Sequence, residues 1–545
     1  MLPKNLAASA ERRTCVFCAL SVLALLFGLG NDGLFISLSE DDLMNLRFGA
    51  SEPLGRLLLA NLFPFTTVYR PMGSAVYVAM FEAFAFHPIY YRAISYGILL
   101  LSCVALYQLA KTIDGRVTAS SLAAILAAFH SRFLHIYSEG SYLYDILCGM
   151  FFLAAVAFYA AKRKRGPLSW GGIGVIYLLW AAAVNSKEIA LTLPAVLLAY
   201  EAIFHWPEAK RNLATPLALF GLAVGAWRGK VAAGSALHGH QYYQASFEIE
   251  AILQSIQTQL ADAVMSRSLA LAPSVAVLLL VPICWQSLAN RSKTAAFGLS
   301  WAMITPWPVL LIADRPFSAM YVPWMGVALA LGALSADWIE RRQFRPRTYP
   351  ALVAAMAVLW GGLNLADAKT RPSIAEIGAR WEHVRDAIDD YSKIDGICDA
   401  RMLLVLDSRF GELYHPLFIA QLLCGDYDKV IHIAGLNISE EDAAAKRADY
   451  DLVIRDLGSD IEVIQRKGTV VAGCLLVTQC LHRIKTRRAP RRDESRAPGD
   501  TRQQQRRRPK RQRVSRRDLI QPTFEVLAEP IGRRHADDNT RCSQN

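Results

Sequence analysis

Long unbroken apolar runs recur along this chain, and they leave few folds open. The first reads "CVFCALSVLALLFGLG" at 15–30, and later runs reach similar length. An α-helix needs roughly 18–20 apolar residues to cross the hydrocarbon core of a bilayer. The runs are continuous rather than alternating, which argues against a membrane β-barrel. Of the 545 residues 53% are apolar and 19% charged, where a soluble domain carries about a quarter charged. The pattern predicts a polytopic α-helical membrane protein.

The first span is expected at 14–36, after Lys4, Arg12 and Arg13. It is long, and no small-residue cleavage motif closes it, so it reads as a retained helix rather than a removed leader. Further spans are expected at 94–112, 117–134, 142–161, 171–186, 189–205, 213–228, 268–285, 295–313, 317–337 and 350–367, about eleven in all. The stretch 71–91 carries Glu82 and His87 and reads as a helix lying along the membrane surface.

Basic clusters set the orientation. "AKRKRG" (161–166), "EAKRN" (208–212), "ANRSKT" (289–294) and "ERRQFRPR" (340–347) fall in alternate loops. The positive-inside rule makes these cytoplasmic, with the N-terminus. The first outer loop, 37–93, and everything after 368 then face outward.

Three domains follow: a transmembrane part at 1–367, an extracytoplasmic α/β part at 368–482, and an Arg-rich tail at 483–545. Strand-like "RMLLVLDS", "DKVIHIAG" and "YDLVIRDL" alternate with helical stretches, which suggests a few parallel strands with short helices. The tail has almost no apolar residues and carries much of the net charge of +12, so it reads as disordered. Placed outside the cytoplasm it meets no nucleic acid. Cys398, Cys424, Cys474 and Cys480 share the outer segment, where disulfides form, with the pairing open.

Polar residues gather on the same outer side. "FISLSEDDLMNLRFG" (35–49) places Asp41 beside Asp42 just past the first span. Carboxylates crowded in a partly dry site raise one another's pKa, which suits a general base. "TTVYRPMG" (66–73) presents Tyr69 and Arg70 at a turn before Pro71, and an Arg fork suits phosphate. Lys187 and Glu188 sit at a tight hairpin tip, Asp314 and Arg315 at another; Tyr321 and Pro323 follow, with the proline expected to kink its helix and shape a cavity. His135 and Glu139 read as the polar wall of an aqueous cavity. The spacing His130-x4-His135-x3-Glu139 hints at a divalent metal, but Gly140 breaks the helix face that would hold one, and no cofactor is firmly implied.

Each motif is bland alone; the series is not. "EDDLMNL", "VYRPMGS", "NSKEIAL" and "RPFSAMYVPWMG" in this order resemble the membrane half of the GT-C glycosyltransferases over roughly 15–340. The likeness is closest to the transmembrane TPR-containing O-mannosyltransferases and their bacterial relatives, and more distant to the protein O-mannosyltransferases. It implies a GT-C-like fold in a bacterial inner membrane and transfer of a hexose or pentose from a polyprenyl-phosphate carrier to a protein or glycan acceptor outside the cytoplasm. It implies Asp41 as the catalytic acid with Asp42 its neighbour, and Arg70, Lys187 and Arg315 as cations for the lipid phosphate. Glu188 would orient Lys187, and Tyr321 would help to bind the donor. The chain departs from that family in having no TPR repeats and in reading "HSRFLHIYSE" where His-Pro precedes a Glu. A flippase of lipid-linked sugars and a non-catalytic membrane scaffold are the alternatives.

Overall fold

The structure is a computed structural model that describes residues 4–63, 68, 70–206, 213–232, 245–265, 292–312, 315–409, 414–458 and 461–467. The expected span at 268–285, Tyr69, Asp314, Cys474, Cys480 and the basic tail lie outside the described residues.

Helices dominate. They are α1 (Lys4–Gly30), α2 (Glu40–Ala50), α3 (Leu54–Ala60), α4 (Pro71–Phe84), α5 (Pro88–Ile113), α6 (Val117–Ala128), α7 (Leu134–Ser138), α8 (Leu143–Arg163) and α9 (Trp170–Val184). They continue with α10 (Leu193–Phe204), α11 (Ala214–Ala232), α12 (Ile249–Ala263), α13 (Lys293–Ile304), α14 (Tyr321–Arg341), α15 (Tyr349–Ala368), α16 (Glu382–Ser392), α17 (Tyr414–Cys424) and α18 (Glu440–Ala445). Among the described residues five helical stretches are long and apolar enough to cross a membrane, or six when the bent pair α6–α7 counts as one span. The coarse expectation of a helical integral membrane protein therefore holds. The stretch 37–93, expected as the first outer loop, is itself mostly helical and holds α2, α3 and α4.

Central helices are apolar all round and peripheral ones on one side, as a bundle in lipid requires. α6 is buried along almost its whole length. α1 and α15, at the rim, expose Phe17, Leu20, Leu23, Val358, Leu359 and Leu363. Small residues set the closest approaches. A Cβ on Gly298 of α13 would lie 2.6 Å from the Gly326 carbonyl oxygen of α14, and one on Gly332 would lie 2.7 Å from the Ala119 carbonyl of α6. Gly298→Val is expected to cost about 2–3 kcal/mol by forcing the helices apart. The melting temperature should fall, while Gly221→Val, at a position open to 4 Å, should change it little.

The two ends of the bundle differ. At one end Arg116 binds Asp337 at 2.6 Å and Arg163 binds Glu201 at 2.6 Å. This end carries the basic stretches 161–166 and 340–347, and Trp170, Trp206 and Trp338 are exposed there, as interfacial aromatics are. The other end gathers the N-terminus of α2 and the adjoining ends of α5, α8, α9 and α14.

The expected straight span 117–134 is broken. Phe129 and His130 are extended, and the helix axis turns by 40° before α7. Tertiary contacts hold the break open. Asn364 of α15 accepts the Ser131 amide at 2.6 Å, and Arg132 spans Asp367 and Asp262, each at 2.6 Å. The buried groups released at the bend are thus satisfied from other helices.

Residues 1–470 form one compact unit, so the α/β segment packs on the helical part. Its sheet runs in the order β2-β1-β3-β4, with β1 (Met402–Leu406), β2 (Val430–Ile433), β3 (Leu452–Asp456) and β4 (Ile461–Arg466). β1, β2 and β3 are parallel, as expected; β4 adds an antiparallel edge. Cys398 is bonded to Cys424, closing a separation of 26 residues.

Candidate functional site

The site begins at the N-terminus of α2. Ser39 caps the helix: its hydroxyl accepts the Asp42 amide at 3.2 Å, and the Asp42 carboxylate accepts the Ser39 amide at 2.8 Å. This reciprocal pair is a capping box. It turns Asp42 inward, where it is 1% exposed. There the Tyr77 hydroxyl of α4 lies 2.9 Å from Asp42 Oδ1 and 2.7 Å from the Gly140 carbonyl oxygen. The Arg92 guanidinium of α5 stands 3.5 Å from Asp42 Oδ2 and donates to the Ser37 carbonyl at 3.0 Å. Gly140 leaves no room for a side chain, since a Cβ would lie 2.2 Å from Asp42 Oδ1.

Asp41, one residue away, keeps exposed surface. Burial is nevertheless the strongest influence on its carboxyl, followed by the negative charges of Glu139, Asp42 and Glu40, and together they push it up to about 6.

Residues 139–145 supply the adjoining wall. His135 Nδ1 lies 2.8 Å from Glu139 Oε1, and the imidazole stacks on Tyr142 at 5.7 Å. Tyr142 marks the middle of the site: Asp145, Glu139, Asp41 and Arg315 all act on its hydroxyl electrostatically. Lys187 Nζ lies 2.6 Å from Asp145 Oδ2 and 5.8 Å from the Tyr142 ring centre.

The turn that leads into Lys187 is packed inside the protein. Asn185 and Ser186 are fully buried. The Asn185 side chain donates to the Ala60 and Asn61 carbonyls at 3.3 and 3.2 Å, and its own carbonyl accepts the Met72 amide at 3.2 Å. One asparagine therefore ties together α3, the start of α4 and the Lys187 turn.

Arg70 caps α4 with φ of 40°, a left-handed conformation that costs an Arg about 1–3 kcal/mol. Its guanidinium takes Glu188 through Nε and Nη2 at 3.4 and 3.0 Å and lies over the Tyr144 ring at 5.3 Å. Lys187 thus pairs with Asp145 and Glu188 with Arg70, so the pairing runs across the site rather than between chain neighbours. Arg70, Asp41 and Asp42 also act together on the Tyr144 hydroxyl. The Arg315 main chain is fixed by Gln259 of α12, 2.8 Å from its carbonyl.

The structure thus brings Asp41, Glu139, His135, Lys187, Arg315, Arg70 and Glu188 to one end of the bundle around Tyr142 and Tyr144. Tyr321 is elsewhere. It is 2% exposed, and its ring fills the space over Gly149, where a Cβ would lie 2.5 Å from it. Pro323 lies in the first turn of α14, where its missing N–H costs nothing, so it produces no kink.

Arg92 and the partner role of Asp145 were not legible as site features. An arginine at the start of an apolar run reads as an interfacial anchor, and Asp42 lies 50 residues earlier. The suggested metal set does not converge: His130 Nδ1 accepts the Arg132 amide at 3.2 Å, and Nε2 lies 3.3 Å from the Ala263 carbonyl, inside an aromatic box that includes Trp324 at 4.4 Å. Among the described residues no group of three His, Cys, Asp or Glu side chains is placed to hold a metal.

No protein-family model matches the chain, and neither does any curated protein or solved structure.

Proposed function

We propose that the chain is an inverting glycosyltransferase of the GT-C kind that takes a sugar from a polyprenyl-phosphate carrier and passes it to a protein or glycan hydroxyl outside the cytoplasm. About eleven crossings in a bacterial inner membrane belong to the same proposal. The observation that carries it is Asp41. It is a partly exposed carboxylate held up to about 6, and it acts on Tyr142 together with Arg315 and on Tyr144 together with Arg70.

In this reading Asp41 accepts the proton of the acceptor hydroxyl as that oxygen attacks the anomeric carbon. The bond from that carbon to the phosphate oxygen breaks, and the configuration inverts without a sugar–enzyme intermediate. The charge released on the phosphate falls to Arg70, Lys187 and Arg315. Arg70 holds Glu188 through two of its donors, and the guanidinium fork suits a phosphate. Asp145 and Glu188 hold the cations in place before the donor arrives. Asp42 is the support, its carboxylate already engaged.

The test is transfer of radiolabelled sugar from polyprenyl phosphate to acceptor in membranes carrying the chain, measured across pH. A base with a carboxyl near 6 is protonated below that value. The rate should fall about tenfold per pH unit below 6 and level off above it. A rate that stays flat down to pH 4 would remove Asp41 from the role.

A further inference from the structure

The α/β segment reaches the site through α2, the helix that carries Asp41. Glu40 Oε1 lies 3.0 Å from His415 Nε2 on α17 and 3.5 Å from His383 Nε2 on α16. About two turns further along α2, the same side continues the contact. Arg47 Nε donates to Gln421 Oε1 at 3.0 Å, and the Phe48 ring lies 6.3 Å from that of Phe418. The opposite side of α2 packs on α4. α2 is therefore clamped between the membrane helices and the α/β segment.

We infer that Glu40 is a positioning residue: with His383 and His415 it latches the α/β segment onto α2 and so sets where Asp41 stands. The segment is then a working part of the site, not an appended module. Its effect on transfer rests on the reading of Asp41 given above; the latch itself does not.

The charges around Glu40 come from each packed element. α2 supplies Asp41 and Asp42; α16 and α17 supply the two imidazoles; Arg409 acts on His383 from the sheet segment, and His415 acts on Asp41 as well as on Glu40. Burial pushes the Glu40 carboxyl up, but the hydrogen bonds and charges of His383 and His415 outweigh it and hold it at about 2. The hydrogen bond to Glu40 raises His383 above its usual value, against burial. A raised histidine contributes fully below its unfolded pKa, roughly 6.5, and its contribution is lost as pH rises through the raised value. A depressed carboxylate loses its contribution only as pH falls towards 2. The latch is thus tighter at pH 5.5 than at pH 8.5.

The experiment is amide hydrogen exchange on the full chain in lipid nanodiscs, with labelling times scaled for the intrinsic pH dependence of exchange. In the native chain, peptides covering α2 and α17 should exchange about tenfold faster at pH 8.5 than at pH 5.5, and together, while α8 stays unchanged. Glu40→Gln should show the faster exchange at both pH values. His383→Gln with His415→Gln should do the same and provides a second route to the result. Equal protection of α2 in native and Glu40→Gln chains at both pH values overturns the latch. An Asp41→Asn chain that transfers sugar as well as the native one would remove Asp41 as the base, and a native chain that transfers none would end the transferase reading; either leaves the exchange result standing.

Discussion

Asp41→Asn is expected to reduce sugar transfer by about 10²–10⁴-fold while the protein stays folded. That is the usual contribution of a positioned general base. Asparagine keeps the shape of the side chain and cannot take a proton. The folded-state effect runs the other way. The Asp41 carboxyl is raised from 3.8 to about 6 in the fold, so its protonated form is the one that folding favours. Its stabilising contribution is complete below the unfolded pKa and lost as pH rises through the folded one, which makes ionised Asp41 a burden at neutral pH. The variant should therefore melt no lower than the native protein at pH 7, and slightly higher. Loss of activity with retained or improved stability is the signature of a functional group held in an unfavourable place. A flippase using the same cations would move lipid-linked sugar equally well in both forms, and transfer unchanged by the substitution would sink the general-base role.

Asp42→Ala is expected to have the opposite profile. It leaves Arg92, itself 2% exposed, without its carboxylate, and removes the acceptor for the Ser39 amide and the Tyr77 hydroxyl. Breaking a buried ion pair from one side costs about 3–5 kcal/mol. The chain should be recovered in low yield, or unfold in detergent at a markedly lower temperature. Arg92→Met in the same background should restore part of the loss, because the stranded charge is then gone. If Asp42→Ala matches the native melting temperature, the carboxylate is not the support assigned to it. Two adjacent aspartates thus separate cleanly: one variant folded and inactive, the other unstable.

The apolar runs made the long helices readable, because crossing length and continuity are local properties of the chain. The α/β segment was readable for the same reason: "LLVL", "VIHI" and "LVIR" are short apolar strands between helical stretches. β4, "IEVIQR", has neither a continuous apolar run nor a clean alternation, and its weaker signal hid the antiparallel strand. The break at Phe129 was not readable. No proline marks it, and its partners Asn364, Asp367 and Asp262 come from distant helices. In the site, Arg70, Lys187 and Arg315 could be picked out because ionisable groups are costly beside a membrane. Which carboxylate each cation would take could not, since Asp145 and Glu188 are equally plausible partners for Lys187 until the fold sets the distances. The inward turn of Asp42 was legible in principle, as Ser39 and Asp42 have the spacing of a capping box. The Glu40 latch was not, because His383 and His415 lie more than 340 residues away.

Transfer by this route requires a carboxylate and three cations to meet where a lipid phosphate can enter. Cryo-electron microscopy of the chain in nanodiscs loaded with polyprenyl monophosphate tests that meeting directly. The prediction is phosphate density within about 4 Å of at least two of Arg70, Lys187 and Arg315, with the prenyl chain leaving sideways into lipid and Asp41 facing the phosphate. Density at the opposite end, among Arg116, Asp337, Arg163 and Glu201, or a lipid phosphate bound out of reach of Asp41, would contradict it.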